Sequence, residues 1–98
     1  MEITNLYIKK FSEIRGMQEK QTIYYNLCSE KVDDRPVYGI NIFSEDDRDE
    51  QKTYLISESI EMTKLFIKYV YENAVGIDVI EDVVNDFLCI KQGFVNVP

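Results

Sequence analysis

The sequence predicts an α+β fold: a small antiparallel sheet of three to four strands, arranged as a meander, followed by two helices packed on one face. Apolar residues alternate at period two over about residues 20–57, which is typical of strands. From Ser57 onward they recur at three- and four-residue spacing, which is typical of helices. The connections between strands are too short for parallel crossovers, so we expect an antiparallel sheet that one helical layer covers.

The first part of the chain, residues 1–57, predicts four strands, of which the first also fits a short helix. They span residues 3–11, 22–30, 37–43 and 53–56. Lys9 and Lys10 place the first strand at an edge of the sheet, because charged side chains discourage further pairing. We expect turns at Gly16, over the polar residues 31–36 and over the charged residues 44–52.

Each of the two central strands has one apolar side. Ile23, Tyr25 and Leu27 share a side of the second strand, and Tyr38, Ile40 and Ile42 share a side of the third. Gly39 interrupts the third strand, where a glycine weakens pairing unless a bulge or a close neighbour requires it. These two apolar sides predict the part of the core that the sheet contributes.

Two helices are predicted over residues 57–91. The first is capped by Ser57 or Ser59 and is expected to end over residues 73–76, with Gly76 suited to the left-handed conformation that closes helices. Its apolar residues are Ile60, Met62, Leu65, Phe66, Ile67, Tyr69, Val70 and Tyr71. They form so wide an apolar surface that we expect this helix to be covered on more than one side.

The second helix is predicted to begin at Asp78, which forms a capping-box-like pair with Glu81. Its apolar residues form a single stripe: Ile77, Ile80, Val83, Val84, Phe87 and Leu88. The residues Lys91-Gln92-Gly93 are expected to end it, leaving residues 92–98 as a tail. We therefore predict one domain over residues 1–98, because neither the sheet nor the helical hairpin buries its apolar side alone.

The composition argues against several classes of chemistry. The chain has 98 residues, a net charge of −7, no His and no Trp. Without His, the commonest metal ligand and the commonest general base are missing, and the acidic balance argues against nucleic-acid binding. The sequence also lacks a Gly-rich phosphate loop and a Gly-x-Ser-x-Gly motif. We therefore expect no catalytic residue, no cofactor and no metal site.

The same survey predicts a cytoplasmic protein that does not bind membranes. No stretch approaches the roughly 20 apolar residues that cross a bilayer, and the N-terminus lacks the apolar stretch of a secretory signal. Cys28 and Cys89 are too few to form a zinc site. A disulfide between them is one alternative, but in a chain without an export signal we expect reduced, mostly buried thiols.

Several residues are candidates for partner binding: Tyr24, Tyr38, Tyr54, Tyr71, Asp78, Asp82 and Asp86. Tyrosines on an exposed sheet face form either ordinary cross-strand pairs or an aromatic hot spot for a partner. Acidic residues at the start of the second helix either stabilise it through its dipole or form a face that docks a basic partner. The sequence leaves both alternatives open.

Three strings of residues resemble a known protein family. They are Tyr24-Tyr25-Asn26-Leu27, Tyr38-Gly39-Ile40-Asn41-Ile42 and Glu81-Asp82-Val83-Val84-Asn85-Asp86-Phe87-Leu88. The family consists of short proteins from Clostridia-type bacteria that form a domain of unknown function, and the resemblance covers about residues 20–90. The resemblance implies a bacterial cytosolic protein with the same order of strands and helices, and it implies no activity.

Together these observations predict a non-enzymatic protein-interaction or regulatory module that self-associates, with a homodimer as one form. The alternative is a small-ligand binder or an enzyme that uses a pocket between the sheet and the helices, lined by tyrosine hydroxyls and carboxylates. A third hypothesis is an acidic decoy that occupies a nucleic-acid site on another protein. A ligand that raises the melting temperature would favour the second hypothesis, and salt-sensitive binding to such a protein would favour the third.

Overall fold

The four predicted strands form one antiparallel sheet in sequence order. In this computed structural model, which describes residues 1–11, 21–45 and 50–96 (residues 90–96 as backbone only), the strands are β1 (Glu2–Phe11), β2 (Gln21–Val32), β3 (Arg35–Ser44) and β4 (Gln51–Ser57). Helices α1 (Ile60–Glu72) and α2 (Ile80–Asn96) follow. The predicted α+β meander with two helices is confirmed. The predicted turn at Gly16 and residues 46–49 of the charged turn lie outside the described residues.

Both helices pack on the same face of the sheet, which we call the core face. Its buried apolar residues are Ile23, Tyr25, Leu27, Ile40, Ile42 and Ile56 from the sheet, and Phe66, Ile67, Val70, Ile77, Ile80 and Val84 from the helical half. Burying an aliphatic or aromatic side chain of this size contributes about 1.5–3 kcal/mol. The alternation of apolar residues in β2 and β3 predicted the core face correctly, because Ile23, Tyr25 and Ile40 are among its buried residues.

The opposite face of the sheet, which we call the open face, carries a row of hydrogen-bonded polar side chains. Asn5, Asn26, Asn41 and Thr53 lie side by side on β1 to β4. The Nδ2 atom of each asparagine donates to its neighbour, at 2.8 Å to Asn26 Oδ1, 2.8 Å to Asn41 Oδ1 and 2.9 Å to Thr53 Oγ1. We call this row the amide ladder. Asn41 is only 2% exposed, so the ladder provides partners for polar groups that burial removes from water.

The hairpin between β2 and β3 is tighter than predicted. Asp33 and Asp34 have positive φ values of 52° and 64°, as the two central residues of a turn whose twist matches that of the strands. Lys31 and Pro36, which we expected in the turn, pair with each other across β2 and β3. The short polar side chain of Asp tolerates the left-handed conformation, so the chain reverses direction at two residues.

A close neighbour and a β-bulge, the two features that require a glycine within a strand, are both present at Gly39. A Cβ atom at this position would lie 2.1 Å from the carbonyl oxygen of Tyr54 and 2.8 Å from the Cα atom of Leu55. The register between β3 and β4 also shifts between Tyr38 and Gly39, as it does at a β-bulge. The backbones of β3 and β4 therefore approach each other at a point where no side chain fits.

The C-terminal end of α1 differs from the prediction. Ala74, and not Gly76, adopts the left-handed conformation, with a φ of 52°. The Ala74 N–H donates to the carbonyl of Tyr71, and the Val75 N–H donates to the carbonyl of Val70, as in a Schellman motif. These bonds, together with the half-buried Val75 that packs against the core, end the helix before the chain reaches the glycine.

The other helix ends agree with the prediction only in part. Ser59 caps α1, because its Oγ accepts a hydrogen bond from the Met62 N–H. Helix α2 begins at Ile80 rather than at Asp78, and it continues past Gly93, so residues 92–96 are helical rather than a tail. A single glycine costs a helix about 1 kcal/mol, which does not end it. Neither described helix is both long and apolar enough to cross a membrane.

The two cysteines differ in burial, and both are free. Cys28 is buried on the open face, opposite Gly39, and burial raises the pKa of its thiol. Cys89 is exposed, so the expectation that both thiols are mostly buried is wrong for this residue. The reason is its position on α2, where it follows the half-buried Leu88 and falls outside the apolar stripe.

Candidate functional site

Helix α1 has two apolar faces, and the described residues cover only one of them. Phe66, Ile67 and Val70 are buried against the sheet. Leu65 and Tyr69, which lie on the adjacent face, are 68% and 56% exposed. Helix α1 therefore contacts the sheet on one side and α2 on another, through Phe66 and Phe87. The expected cover is incomplete, because α2 leaves a groove beside α1 at which Leu65 and Tyr69 stay exposed.

This groove, which we call the interhelical groove, has a volume of about 540 Å³. It is lined by Met62, Leu65, Phe66, Tyr69, Val83, Asp86 and Phe87. The rings of Phe66 and Phe87, whose centroids lie 4.6 Å apart, join the two helices. The Asp86 carboxylate and the Tyr69 hydroxyl are the polar side-chain groups of the lining, so water in the groove meets a surface that is mostly apolar.

The α2 side of the groove carries negative charge. Asp86 lines the groove, and Asp82 lies one turn earlier on the same side of α2; both residues are exposed. We call this pair the acidic edge. Residues 70–89 contain no Lys or Arg. Over this described part of the chain, the acidic edge therefore has no basic side chain next to it along α2.

The turn between the helices is anchored in the core. The hydroxyl of Tyr25, on the central strand β2, donates a hydrogen bond of 2.8 Å to the carbonyl of Val75, and Ile77 is buried. Burial, with a smaller contribution from nearby Tyr71, raises the pKa of Tyr25 to about 12. The phenol thus stays protonated and keeps donating at neutral pH. This turn holds the two walls of the groove in place relative to the sheet.

Two of the three predicted acidic partner residues border the interhelical groove. Asp82 and Asp86 form the acidic edge, whereas Asp78 is exposed just before α2 begins. Sequence reasoning missed the apolar wall formed by Leu65 and Tyr69, because a helical apolar pattern does not tell a buried residue from an exposed one. The signal that pointed to them was the excessive width of the apolar surface on α1.

Three of the predicted tyrosines lie on the sheet, on different faces. Tyr24 is on the open face, where its ring lies 5.7 Å from that of Phe43 and its hydroxyl donates to Glu45, which raises the pKa of Tyr24. Tyr38 and Tyr54 lie on the core face, half-buried against the core. The structure therefore brings none of the three to the interhelical groove.

The fourth predicted tyrosine, Tyr71, belongs to an aromatic cluster between α1 and the sheet. Its ring stacks on that of Tyr7 at 4.5 Å and meets the edge of Tyr25 at 5.8 Å. Lys9 lies over the same ring at 4.5 Å and donates to the Tyr71 carbonyl at 2.6 Å. Lys9 thus lies on the core face and helps to fasten the edge strand β1 to α1.

The described side chains of the site offer an apolar surface and negative charge. Within the described parts of the chain, no three His, Cys, Asp or Glu side chains lie close enough together to hold a metal ion. The groove combines an apolar surface on both helix walls with the negative charge of Asp82 and Asp86 along one side. Such a surface binds apolar groups through burial and orients them through charge.

The sheet, the helical hairpin and the groove define a small α+β protein with an exposed apolar site between its helices. The chain belongs to DUF6514, a family of unknown function, whose model matches residues 5–89. The family that the three strings of residues suggested is therefore confirmed as a family of unknown function. No curated protein and no solved structure matches the chain.

Proposed function

We propose that this chain is a non-enzymatic protein-interaction module whose interhelical groove binds an amphipathic helix of a partner protein, with basic side chains along one flank of that helix. The exposure of Leu65 and Tyr69 at the groove carries the proposal. Exposed apolar clusters of this kind mark interaction sites on soluble proteins. Two helices with a groove between them fit the apolar face of a third helix.

The apolar walls determine how strongly a partner binds. A helix in the groove presents apolar residues at positions i, i+3 or i+4, and i+7, which meet Leu65, Tyr69 and the ring of Phe87. Each apolar side chain that becomes buried contributes about 1.5–3 kcal/mol. Association costs several kcal/mol in lost freedom of motion, so a short helix is expected to bind with a dissociation constant in the micromolar range.

The acidic edge selects the chemistry of the partner. Asp82 and Asp86 lie along one side of the groove, and the whole chain carries a net charge of −7. A helix with Lys or Arg on the flank next to α2 is attracted, and an acidic helix is repelled. The asymmetry also determines which flank of the bound helix faces α2, because the charged residue among the described lining residues, Asp86, belongs to α2.

The groove suits a small ligand less well. Pockets for small molecules bury most of the ligand and orient it with a few converging polar groups, whereas this lining offers two, the Asp86 carboxylate and the Tyr69 hydroxyl. The groove also lies between the helices, and the alternative hypothesis placed its pocket between the sheet and the helices. These two differences favour a protein partner over a substrate.

We also propose that the protein acts in the cytoplasm of a Clostridia-type bacterium. The two free thiols, of which Cys28 is buried, fit a reducing compartment. The bacterial source follows from the resemblance of the strings around Tyr24, Tyr38 and Glu81 to short bacterial proteins.

The test is selection of helix-forming peptides from a displayed library on the wild-type chain, followed by affinity measurement. We expect enriched peptides with a helical apolar stripe and Lys or Arg on one flank. Leu65→Ser should weaken their binding at least about tenfold, equivalent to about 1.4 kcal/mol. The matched control is Val32→Ser, an exposed apolar residue at the far end of β2 that does not line the groove, and it should leave binding unchanged.

Two results would overturn the proposal. One is a selection in which every enriched peptide binds Leu65→Ser as tightly as the wild type. The other is a small metabolite that raises the melting temperature of the wild-type chain but not of Leu65→Ser, since a ligand that binds the folded state stabilises it. The second result would assign the groove to a small ligand.

A further inference from the structure

We infer that the open face of the sheet is a self-association surface that binds a second copy of this chain. Three rows of residues cross the centre of this face, from the row of Ile3 to the row of Ile8, with the amide ladder between them. None of the side chains in these rows is charged. This uncharged area is separate from the interhelical groove and does not depend on the function proposed for it.

Apolar side chains flank the amide ladder on both sides. Ile3 and Ile8 on β1 are 51% and 46% exposed, and Leu55 on β4 is also exposed. The ring of Tyr24 packs on that of Phe43, 5.7 Å away, between the two edge strands. An exposed apolar area of this kind is typical of an interface in a protein that stays in solution.

The polar groups at the centre of the face do not oppose its burial. Asn26 and Asn41 already bond to their neighbours in the ladder, and Asn41 also donates to Gln51 at 3.1 Å. In the described part of the chain, every buried side-chain nitrogen and oxygen has a hydrogen-bond partner. Removing hydrogen-bonded polar groups from water costs less free energy than removing unpaired ones. The polar groups of this face therefore oppose its burial only weakly, as on a mostly apolar surface.

The charges at the border of the face are complementary to themselves. Lys10 and Glu45 lie at one end of the strands, and Glu30 and Arg35 lie at the other. A two-fold axis between the two sheets, parallel to them, perpendicular to the strands and above the amide ladder, reverses the strand direction. That operation brings Lys10 near Glu30 of the second copy, and it brings Glu45 near Arg35, which already forms an ion pair with Glu58 of its own chain at 3.9 Å. A second copy therefore supplies an opposite charge for Lys10 and for Glu30.

The size of the face predicts a weak dimer. Four strands about 4.8 Å apart and about eight residues long present an area of about 500 Å², compared with about 800 Å² per partner in a standard stable interface. The acidic groups outside the face also repel, since each copy carries a net charge of −7. We therefore expect a dissociation constant in the micromolar range, with the two sheets packed about 10 Å apart.

Sedimentation of the full chain at concentrations from about 5 to about 500 μM measures this association. The buffer is reducing, because Cys89 is exposed. The wild type should shift from monomer to dimer across the range. Ile8→Arg and Leu55→Arg, on exposed positions of the two edge strands, should each weaken the dimer at least tenfold. Leu65→Arg, in the groove, is the control and should dimerise like the wild type. Each Arg reduces the net negative charge, so general repulsion cannot explain the loss.

Thermal melts of the variants show whether each one folds, and the two open-face variants test the same surface independently. A wild-type chain that stays monomeric at every concentration would overturn the inference. Dimers that survive both Ile8→Arg and Leu55→Arg but dissociate in Leu65→Arg would also overturn it, because they would place self-association in the interhelical groove.

Discussion

The hydroxyl of Tyr25 donates a hydrogen bond of 2.8 Å to the carbonyl oxygen of Val75, and this bond ties the central strand β2 to the turn between the two helices. Tyr25 is fully buried, and its ring meets the edge of Tyr71 at 5.8 Å. The carbonyl of Val75 follows the Schellman turn that ends α1. The buried phenol therefore helps to hold the helical hairpin in its orientation on the sheet.

Tyr25→Phe is expected to lower the free energy of unfolding at pH 7 by about 1–2 kcal/mol, because the Val75 carbonyl loses its partner. The variant should also change the pH dependence. Tyr25 has a pKa of about 12 in the folded chain and about 10 when unfolded, so between these values the folded state binds more protons. The stability that the Tyr25 phenol contributes is therefore fully present below about pH 10 and is lost as the pH rises towards 12.

Denaturant unfolding of both chains at pH 7 and pH 11 checks this prediction. The wild type should lose more stability over that interval than Tyr25→Phe, which has no phenol to ionise at this position. Cys28, whose pKa burial also raises, is present in both chains and cancels in the comparison. Equal losses in the two chains would show that the Tyr25 phenol is not protected by the core.

Gly39→Ala is expected to destabilise the chain by about 3 kcal/mol or more. The new Cβ would lie 2.1 Å from the Tyr54 carbonyl oxygen, and the backbone of a paired strand cannot shift easily to relieve this clash. Gly76→Ala is the matched control, because the atom nearest to its Cβ is Asp78 Oδ1 at 3.0 Å, the end of a flexible side chain. Its cost should stay below about 1 kcal/mol. Similar melting temperatures for the two variants would contradict the close approach of β3 and β4.

Ala74→Gly is expected to stabilise the chain by about 0.5–1 kcal/mol, because Ala74 has a φ of 52° and glycine adopts the left-handed conformation without its steric cost. The melting temperature should rise by a few degrees. Glu72→Gly, in the last turn of α1, should instead lower it, because glycine is unfavourable within a helix. A lower melting temperature for Ala74→Gly would show that the helix does not end in the Schellman motif.

The sequence could predict the order of elements, since both periods are strong in this chain, but not every helix end. Gly76 looked like the natural end of α1, yet the end lies where Val75 packs against the core and Ala74 takes the strained conformation. That choice depends on tertiary packing, which overrides local preference. In the same way the apolar residues of α1 identified a helix, while the exposure of Leu65 depends on where α2 lies.

The amide ladder was beyond sequence reasoning for a related reason. Asn26 and Asn41 each occupy the outward side of a predicted strand, but their pairing depends on strand register. Register follows from the two-residue turn at Asp33-Asp34, which was predicted as a longer polar loop. A one-residue change in register would move these side chains to the other face.

Asn41→Ala is expected to lower the free energy of unfolding by about 1–3 kcal/mol, because Asn26 Nδ2 loses its acceptor in a buried row. Thr53→Ser is the matched control, because it keeps the hydroxyl that accepts from Asn41 Nδ2, so its cost should be below about 1 kcal/mol. Chemical denaturation of the two variants gives both values. An Asn41→Ala chain as stable as the Thr53→Ser chain would contradict the role of the ladder.

The most direct measurement of the groove's selectivity is a charge exchange at Asp86. Two helical peptides with the same apolar stripe, one with Lys and one with Glu on the flank, are titrated by fluorescence anisotropy against the wild-type chain and against Asp86→Lys. We predict that the wild type binds the Lys peptide at least about fivefold more tightly, and that Asp86→Lys removes most of this preference. The same preference in both chains, or none in either, would contradict a helix bound beside the acidic edge.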